Sequence, residues 1–239
     1  MWLVLCPSTD LSALWAARGL AARGLKPVEI ITEEALAYNQ RFEHRLVAGR
    51  TSVRITLADG RVIDSATVRG TLNRLQLVPG SHLRTNSKDR QYAEQELFAL
   101  YLSWLHALPG KMLNRPTAQG LGGEWRQPSE WVWLANQAGL LTALYSESEF
   151  REPPMPSMPE TAPNRTVIVV DGISCGAVAP QSVTAACARL SELSATKLLG
   201  VGFNVTPGGQ WIFTGATPFP ELRIGGNKLQ DALVQALTS

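Results

Sequence analysis

Apolar and polar positions change period several times along this chain, and each change marks an element. Trp2 to Leu5 is an unbroken apolar run ending at Cys6-Pro7, which predicts a buried strand. Ser8-Thr9-Asp10 offers capping oxygens before Leu11, Leu14, Trp15 and Leu20, whose spacing suits one face of an amphipathic helix that Gly24 ends. Val28 to Ile31 reads as a second strand, and Thr32 with Glu34 as the opening of a short helix. Val53, Ile55 and Leu57 alternate before an Asp59-Gly60 turn and Val62, a hairpin signal. A small α/β lobe would then end near Thr67-Val68-Arg69-Gly70. Pro79, Gly80, Ser81, Asn86 and Ser87 give the stretch from Leu77 to Lys88 a loop composition. Asp89 can cap the long helix that follows, with Tyr92, Leu97, Leu100, Tyr101, Trp104, Leu105 and Leu108 on one stripe and Pro109-Gly110 as its stop.

The second half repeats the alternation of elements. A short strand from Lys111 to Asn114 leads to Pro116 and a glycine-rich loop from Gln119 to Gly123, then to a helix from about Ser129 to Ala138 with Gly139 as its cap. Pro153, Pro154, Pro156, Pro159 and Pro163 remove too many backbone donors for regular structure, so Arg151 to Pro163 reads as a linker or an extended wrap. Beyond it come a strand from Val167 to Val170, an Asp171-Gly172 turn, a helix from Pro180 to Leu193 and a strand from Lys197 to Val205. Pro207-Gly208-Gly209 turns into Trp211 to Phe213, and a last helix from Asn227 puts Leu229, Ala232, Leu233, Ala236 and Leu237 on one face. No internal repeat emerges.

Composition narrows the function classes. At 239 residues, 45% hydrophobic and 18% charged, the chain can build one large or two small cores. A net charge of +2, with Lys and Arg interleaved with Asp and Glu, offers no basic face for nucleic acid. No apolar run reaches the roughly 18 residues of a membrane span, and the short start has no basic flank, so a cytoplasmic protein without a membrane or nucleic-acid partner is expected. The three cysteines, Cys6, Cys175 and Cys187, have no paired spacing and read as buried thiols.

Leu199-Gly200-Val201-Gly202-Phe203, followed by Gln210-Trp211-Ile212-Phe213-Thr214-Gly215-Ala216-Thr217-Pro218-Phe219-Pro220, resembles the metal-binding hairpin of the ATP-grasp ligases, in particular those acting on ribosomally made peptides. Tyr92 to Leu97, Ser103-Trp104-Leu105 and Met112-Leu113-Asn114-Arg115-Pro116 resemble the helix and strand closing that family's N-terminal lobe. Glu130-Trp131 to Ala135 with Ala138-Gly139-Leu140 resembles the helix after it. The resemblance implies an α/β fold with a pre-ATP-grasp-like lobe at 1–116, a connecting helix and proline-rich linker at 117–163, and a truncated ATP-grasp-like lobe at 164–239. In the family, Asp, Glu and Asn side chains of that hairpin hold magnesium. Here their places are Gly202, Gly215 and Thr217, and two glycines supply no side-chain oxygen to a cation that demands them. The interval from Leu140 to Val167 is also too short for the family's mobile flap subdomain. A non-catalytic relative is therefore expected, with no cofactor. Its partner would be an active ligase subunit, a precursor peptide or a second copy of itself in a homodimer, in a peptide-tailoring or natural-product pathway.

A rival expectation is a divergent ligase or transferase using Arg69, Arg74, Lys111, Arg115 and Lys228 in a cleft between the lobes. Gly225-Gly226-Asn227-Lys228 could present amides and a lysine to an anion, although a turn and helix cap account for the same residues. Gly200-x-Gly202 lacks the rest of a dinucleotide fingerprint and precedes a strand. His44, His82 and His106 are scattered, and Glu94 and Glu96 do not face each other on a helix. Trp125, Trp131 and Trp133 cluster, and the last two, two apart on a helix, cannot both enter one core, so they are candidate interface residues.

Overall fold

A computed structural model describes residues 1–78, 87–143 and 163–239. In chain order the elements are β1 (Trp2–Cys6), α1 (Leu11–Ala22), β2 (Val28–Thr32), α2 (Glu33–Ala37), β3 (Arg41–Val47), β4 (Arg50–Thr56), β5 (Val62–Asp64), β6 (Gly70–Asn73), α3 (Ser87–Ala107) and β7 (Lys111–Leu113). They continue with α4 (Pro128–Gln137), β8 (Leu141–Thr142), β9 (Arg165–Val170), β10 (Ile173–Gly176), α5 (Gln181–Leu193), β11 (Leu198–Val205), β12 (Trp211–Thr217) and α6 (Gly226–Thr238). Two compact units result: Met1–Trp125 with Leu233–Ser239, and Arg126–Ala232. The helix α4, expected in a connecting segment, belongs to the second.

In the first unit a parallel sheet runs in the order β2-β1-β6-β7, beside a three-stranded antiparallel sheet in the order β3-β4-β5. Leu3 and Leu5 of β1 enter a core with Ile31, Val53, Ile55, Ile63, Trp104 and Leu105. Phe42, Tyr101 and Trp104 meet edge to face there, with ring centroids 5.9 to 6.0 Å apart. The face of α1 that is buried is not the expected leucine stripe. It consists of Ala13, Ala16, Ala17 and Leu20, while Leu11 stands exposed, because small side chains let the helix lie close to the sheet. Tyr92 likewise falls outside the buried stripe of α3.

Periodicity passes over β3 and β6. The first is mostly charged, Arg-Phe-Glu-His-Arg, and pairs with β4 through an Ala48-Gly49 turn at positive φ. The second, Gly-Thr-Leu-Asn, is a buried central strand too short for a period to show. Gly110 allows β7 to start beside it, since a Cβ there would lie 2.0 Å from the Arg69 carbonyl oxygen.

The second unit is a five-stranded sheet in the order β10-β9-β11-β12-β8. All its pairs are antiparallel except β12 with β8. Val167, Val169, Leu199, Val201, Phe203 and Phe213 cover one face against Trp131, Leu134 and Ala135 of α4 and Cys187 and Leu190 of α5. Gly139 ends α4 at φ 84° and Gln127 with Glu130 forms its capping box, as a helix of that span requires. The flap deletion expected between Leu140 and Val167, and all of the proline-rich stretch but Pro163, lie outside the described residues, as do Pro79 to Asn86 with His82. Among the described residues no helix is long and apolar enough to cross a membrane.

Candidate functional site

The β11–β12 hairpin builds a pocket on the sheet face opposite the α4 and α5 core. Its register sets Gly200 across from Thr217 and Gly202 across from Gly215, then shifts at a bulge so that Phe203 faces Phe213 and Thr214 is the extra residue. Gly202, Gly215 and Thr217, the three positions marked by the family resemblance, therefore line one concave pocket of about 300 Å³. Pro163, Thr166, Phe219, Pro220 and Ile224 complete much of its lining.

The chemistry of that lining is nearly free of charge. Glu221 is the carboxylate on it, and both its oxygens accept from Arg223, at 2.8 Å each, while Oε1 also accepts from the Arg223 backbone N–H. Thr217 Oγ1 accepts from the Phe219 N–H at 3.1 Å. Packing also occupies the space: a Cβ on Gly202 would sit 3.0 Å from both Pro163 Cβ and Thr214 Oγ1, and one on Gly200 would be 2.7 Å from Pro220 Cβ. Magnesium takes about six oxygens in near-octahedral order. One carboxylate already bonded to an arginine, three threonine hydroxyls and two glycines at the ligand positions do not fit that requirement, and among the described residues no group of three His, Cys, Asp or Glu could hold a metal.

Within the first unit Arg74 stands apart from Arg69, Lys111 and Arg115, which lie where β6 and β7 begin. Arg69 precedes β6 and Arg74 follows it, so five extended steps separate them, about 16 Å at 3.3 Å per residue. Lys111, paired in register with Gly70, and Arg115, whose Nη2 donates to the Gly110 carbonyl, lie exposed in the first unit, and Lys228 lies exposed on α6 within the second. Arg74, a candidate anion-binding residue, is held in a buried ion pair. Its side chain is 4% exposed and its Nε donates to Asp10 Oδ2 at 2.6 Å, while Asp10 Oδ1 caps α1 by accepting from the Ala13 N–H. This pair fills the carboxyl-end switch point between β1 and β6, the place where open α/β sheets usually admit ligands.

Trp131 is likewise corrected from interface to core: it is buried beneath the Arg126 guanidinium, 5.9 Å from the ring centroid. Trp133 and Trp125 are each 63% exposed. His44 Nε2 lies 2.9 Å from Ser103 Oγ, with no carboxylate shown orienting it, and His106 is exposed. Burial pushes the thiols of Cys6 and Cys187 up to about 12, with Asp10 adding to the effect at Cys6, so neither is a nucleophile at neutral pH.

A parallel-sheet unit followed by a mostly antiparallel one, with a β-hairpin pocket in the second, defines an ATP-grasp-like fold. The chain is similar over its length to solved peptide-modifying members of that class. Against the macrocyclase MdnC of Microcystis aeruginosa, bound with precursor peptide MdnA, the TM-score is 0.71 at 14% identity, over 99% of this chain and 98% of that one. A RiPP-associated ATP-grasp ligase of Chryseobacterium gregarium, in complex with ADP and a leader and core peptide, gives 0.70 at 9% identity over 99% and 96%. The ATP-grasp ligase PsnB complexed with minimal precursor gives 0.71 at 15% over 98% of each chain. At these identities the likeness is one of fold. No protein-family model matches the sequence, and no curated protein matches it.

Proposed function

We propose that this protein is a non-catalytic ATP-grasp-like protein that binds a peptide or an active ligase subunit in a peptide-tailoring pathway. The observation that carries the reading is the pocket at Gly202, Gly215 and Thr217. It stands where the resemblance places a metal site, yet it holds a single carboxylate, and that carboxylate is bonded to Arg223. Phosphoryl transfer depends on positioning and on neutralising charge at the phosphates, and a lining without a lysine or arginine, with one carboxylate among threonines, glycines and apolar side chains, does not supply that charge. The relatives of like fold are recorded with precursor peptides or with leader and core peptides, which supports a peptide as the partner.

The same reading holds that the second lobe is shortened, with the flap subdomain lost between Leu140 and Val167, in a cytoplasmic protein. Exposed Trp125 and Trp133 are surfaces through which a ligase subunit or a second copy could dock. Purified protein supplied with magnesium and ATP should release no ADP above the protein-free blank. Sustained ADP release that follows protein concentration through gel filtration would overturn the reading.

A further inference from the structure

The charge of the chain is unevenly placed. Residues 41–56 hold four arginines, Arg41, Arg45, Arg50 and Arg54, against one carboxylate, Glu43, a formal +3 within a chain whose total is +2. Strand alternation sorts them. Phe42, Val53 and Ile55 of the β3–β4 hairpin pack toward the core of the first unit, so their neighbours Arg41, Glu43, Arg45, Ser52 and Arg54 stand on the solvent face. Register then fixes the spacing: Arg54 lies directly across from Glu43 and diagonally from Arg41 and Arg45, whose own partners are Thr56 and Ser52. Direct neighbours of this kind have Cβ atoms about 5 Å apart and diagonal ones about 7–8 Å.

Glu43 does not neutralise this group. Its Oε1 lies 2.9 Å from a guanidinium nitrogen of Arg41 and of Arg45, and the bond from Arg45 above all holds its carboxyl below the usual carboxylate range. Even so the side chains of Arg41 and Arg45 remain 68% and 67% exposed. Arg54 is exposed as well and forms no ion pair among the described residues, although Asp64 of β5 is its other register partner; Asp64 Oδ1 accepts from the Ala66 N–H instead. A hollow of about 200 Å³ opens at this point, lined by Glu43, Arg45, Ser52, Val53, Arg54 and Asp64.

We propose that this face binds an acidic peptide segment in extended conformation, with carboxylates two residues apart meeting Arg45 and Arg54. Such carboxylates repeat at roughly 7 Å along an extended chain, which matches the diagonal between the arginines, and the planar guanidinium fork takes a carboxylate through two parallel bonds. Ser52, directly across from Arg45, brings a hydroxyl donor to the same hollow. Charge complementarity selects a peptide over nucleic acid. Glu43 and Asp64 interrupt the cations, which a continuous phosphate chain meets as repulsion and alternate carboxylates bypass, and the lining of the hollow includes no aromatic ring on which a base could stack. The surface belongs to the first unit and goes beyond the reading of the pocket at Gly202, which it does not require.

The test is a titration of ¹⁵N-labelled protein with acetyl-Glu-Ala-Glu-Ala-Glu-amide at low salt, read from amide chemical shifts. Saturable shifts centred on β3, β4 and Asp64 are expected, and glutamine in place of each glutamate should weaken binding by about tenfold or more, roughly 1.4 kcal/mol. Salt near 1 M, where screening shortens to about 3 Å, should abolish the shifts. Arg54→Gln, at an exposed position, should lower the affinity by about fivefold. Asp64→Asn keeps the acceptor for the Ala66 N–H, removes a repelling charge and should raise the affinity by about twofold or more. No shifts on β3 and β4 at millimolar peptide, equal binding of the glutamine peptide, unchanged affinity in Arg54→Gln, or tighter binding of a single-stranded oligonucleotide of equal charge overturns the proposal. Such a failure leaves the non-catalytic reading standing, whereas ATP turnover ends that reading and does not depend on this face.

Discussion

Arg74 shows how a single residue's environment decides its role. In sequence it is one more cation near a lobe boundary. In the structure it is buried on Asp10, which in turn caps α1, so charge, helix start and sheet end are tied together. Removing one member of a buried ion pair strands the other charge. Arg74→Ala is accordingly expected to lower unfolding stability by about 3–5 kcal/mol, measured by urea denaturation. Loss below about 1 kcal/mol would show that the pair is dispensable. Gly110→Ala should cost about 1–3 kcal/mol or more by the same measurement, because φ of 80° and a carbonyl oxygen 2.0 Å from the new Cβ leave no relaxed alternative. The thiols give a pH dependence. Cys6 and Cys187 have folded values raised from 9.0 to about 12, so the stability they contribute is complete below 9.0 and is lost as pH rises from there toward 12. Thermal melting should therefore be flat up to about pH 9 and fall above it, and iodoacetamide at pH 8 should leave both thiols of the native protein unmodified.

At the scale of elements, legibility followed burial. Strands with continuous apolar runs, β1, β9 and β11, the capped helix α4 and the amphipathic helix α5 stand in the sequence because one physical signal dominates each. The strand β3 does not, since its arginines face solvent and only Phe42 and His44 turn inward toward α3. The short strands β6, β8 and β10 are set by their neighbours in the sheet, which no local pattern encodes. The tryptophans of α4 divide by the geometry expected of positions two apart: Trp131 packs inside and Trp133 outside. Trp133→Ser is expected to change stability by no more than about 0.5 kcal/mol, while Phe213→Ala, wholly buried against Phe203, should cost about 3–5 kcal/mol. Chemical denaturation of the two variants side by side checks both, and a larger loss for Trp133→Ser would place that ring in the core.

For the whole molecule, the fold is ATP-grasp-like, and the three hairpin positions that the family resemblance marked, Gly202, Gly215 and Thr217, line one pocket. That resemblance, not any local pattern, pointed to the pocket, where Gly202 and Gly215 stand in strands that would otherwise carry side chains. What the sequence left unseen is the separation of Arg69 from Arg74, which depends on β6 being a strand at all. The account turns on whether a pocket so poor in oxygens can hold a metal-bound nucleotide. Calorimetric titration of Mg·ATP into the purified protein tests it most directly: no saturable heat is expected up to millimolar nucleotide. A stoichiometric, magnesium-dependent isotherm with micromolar affinity would contradict it.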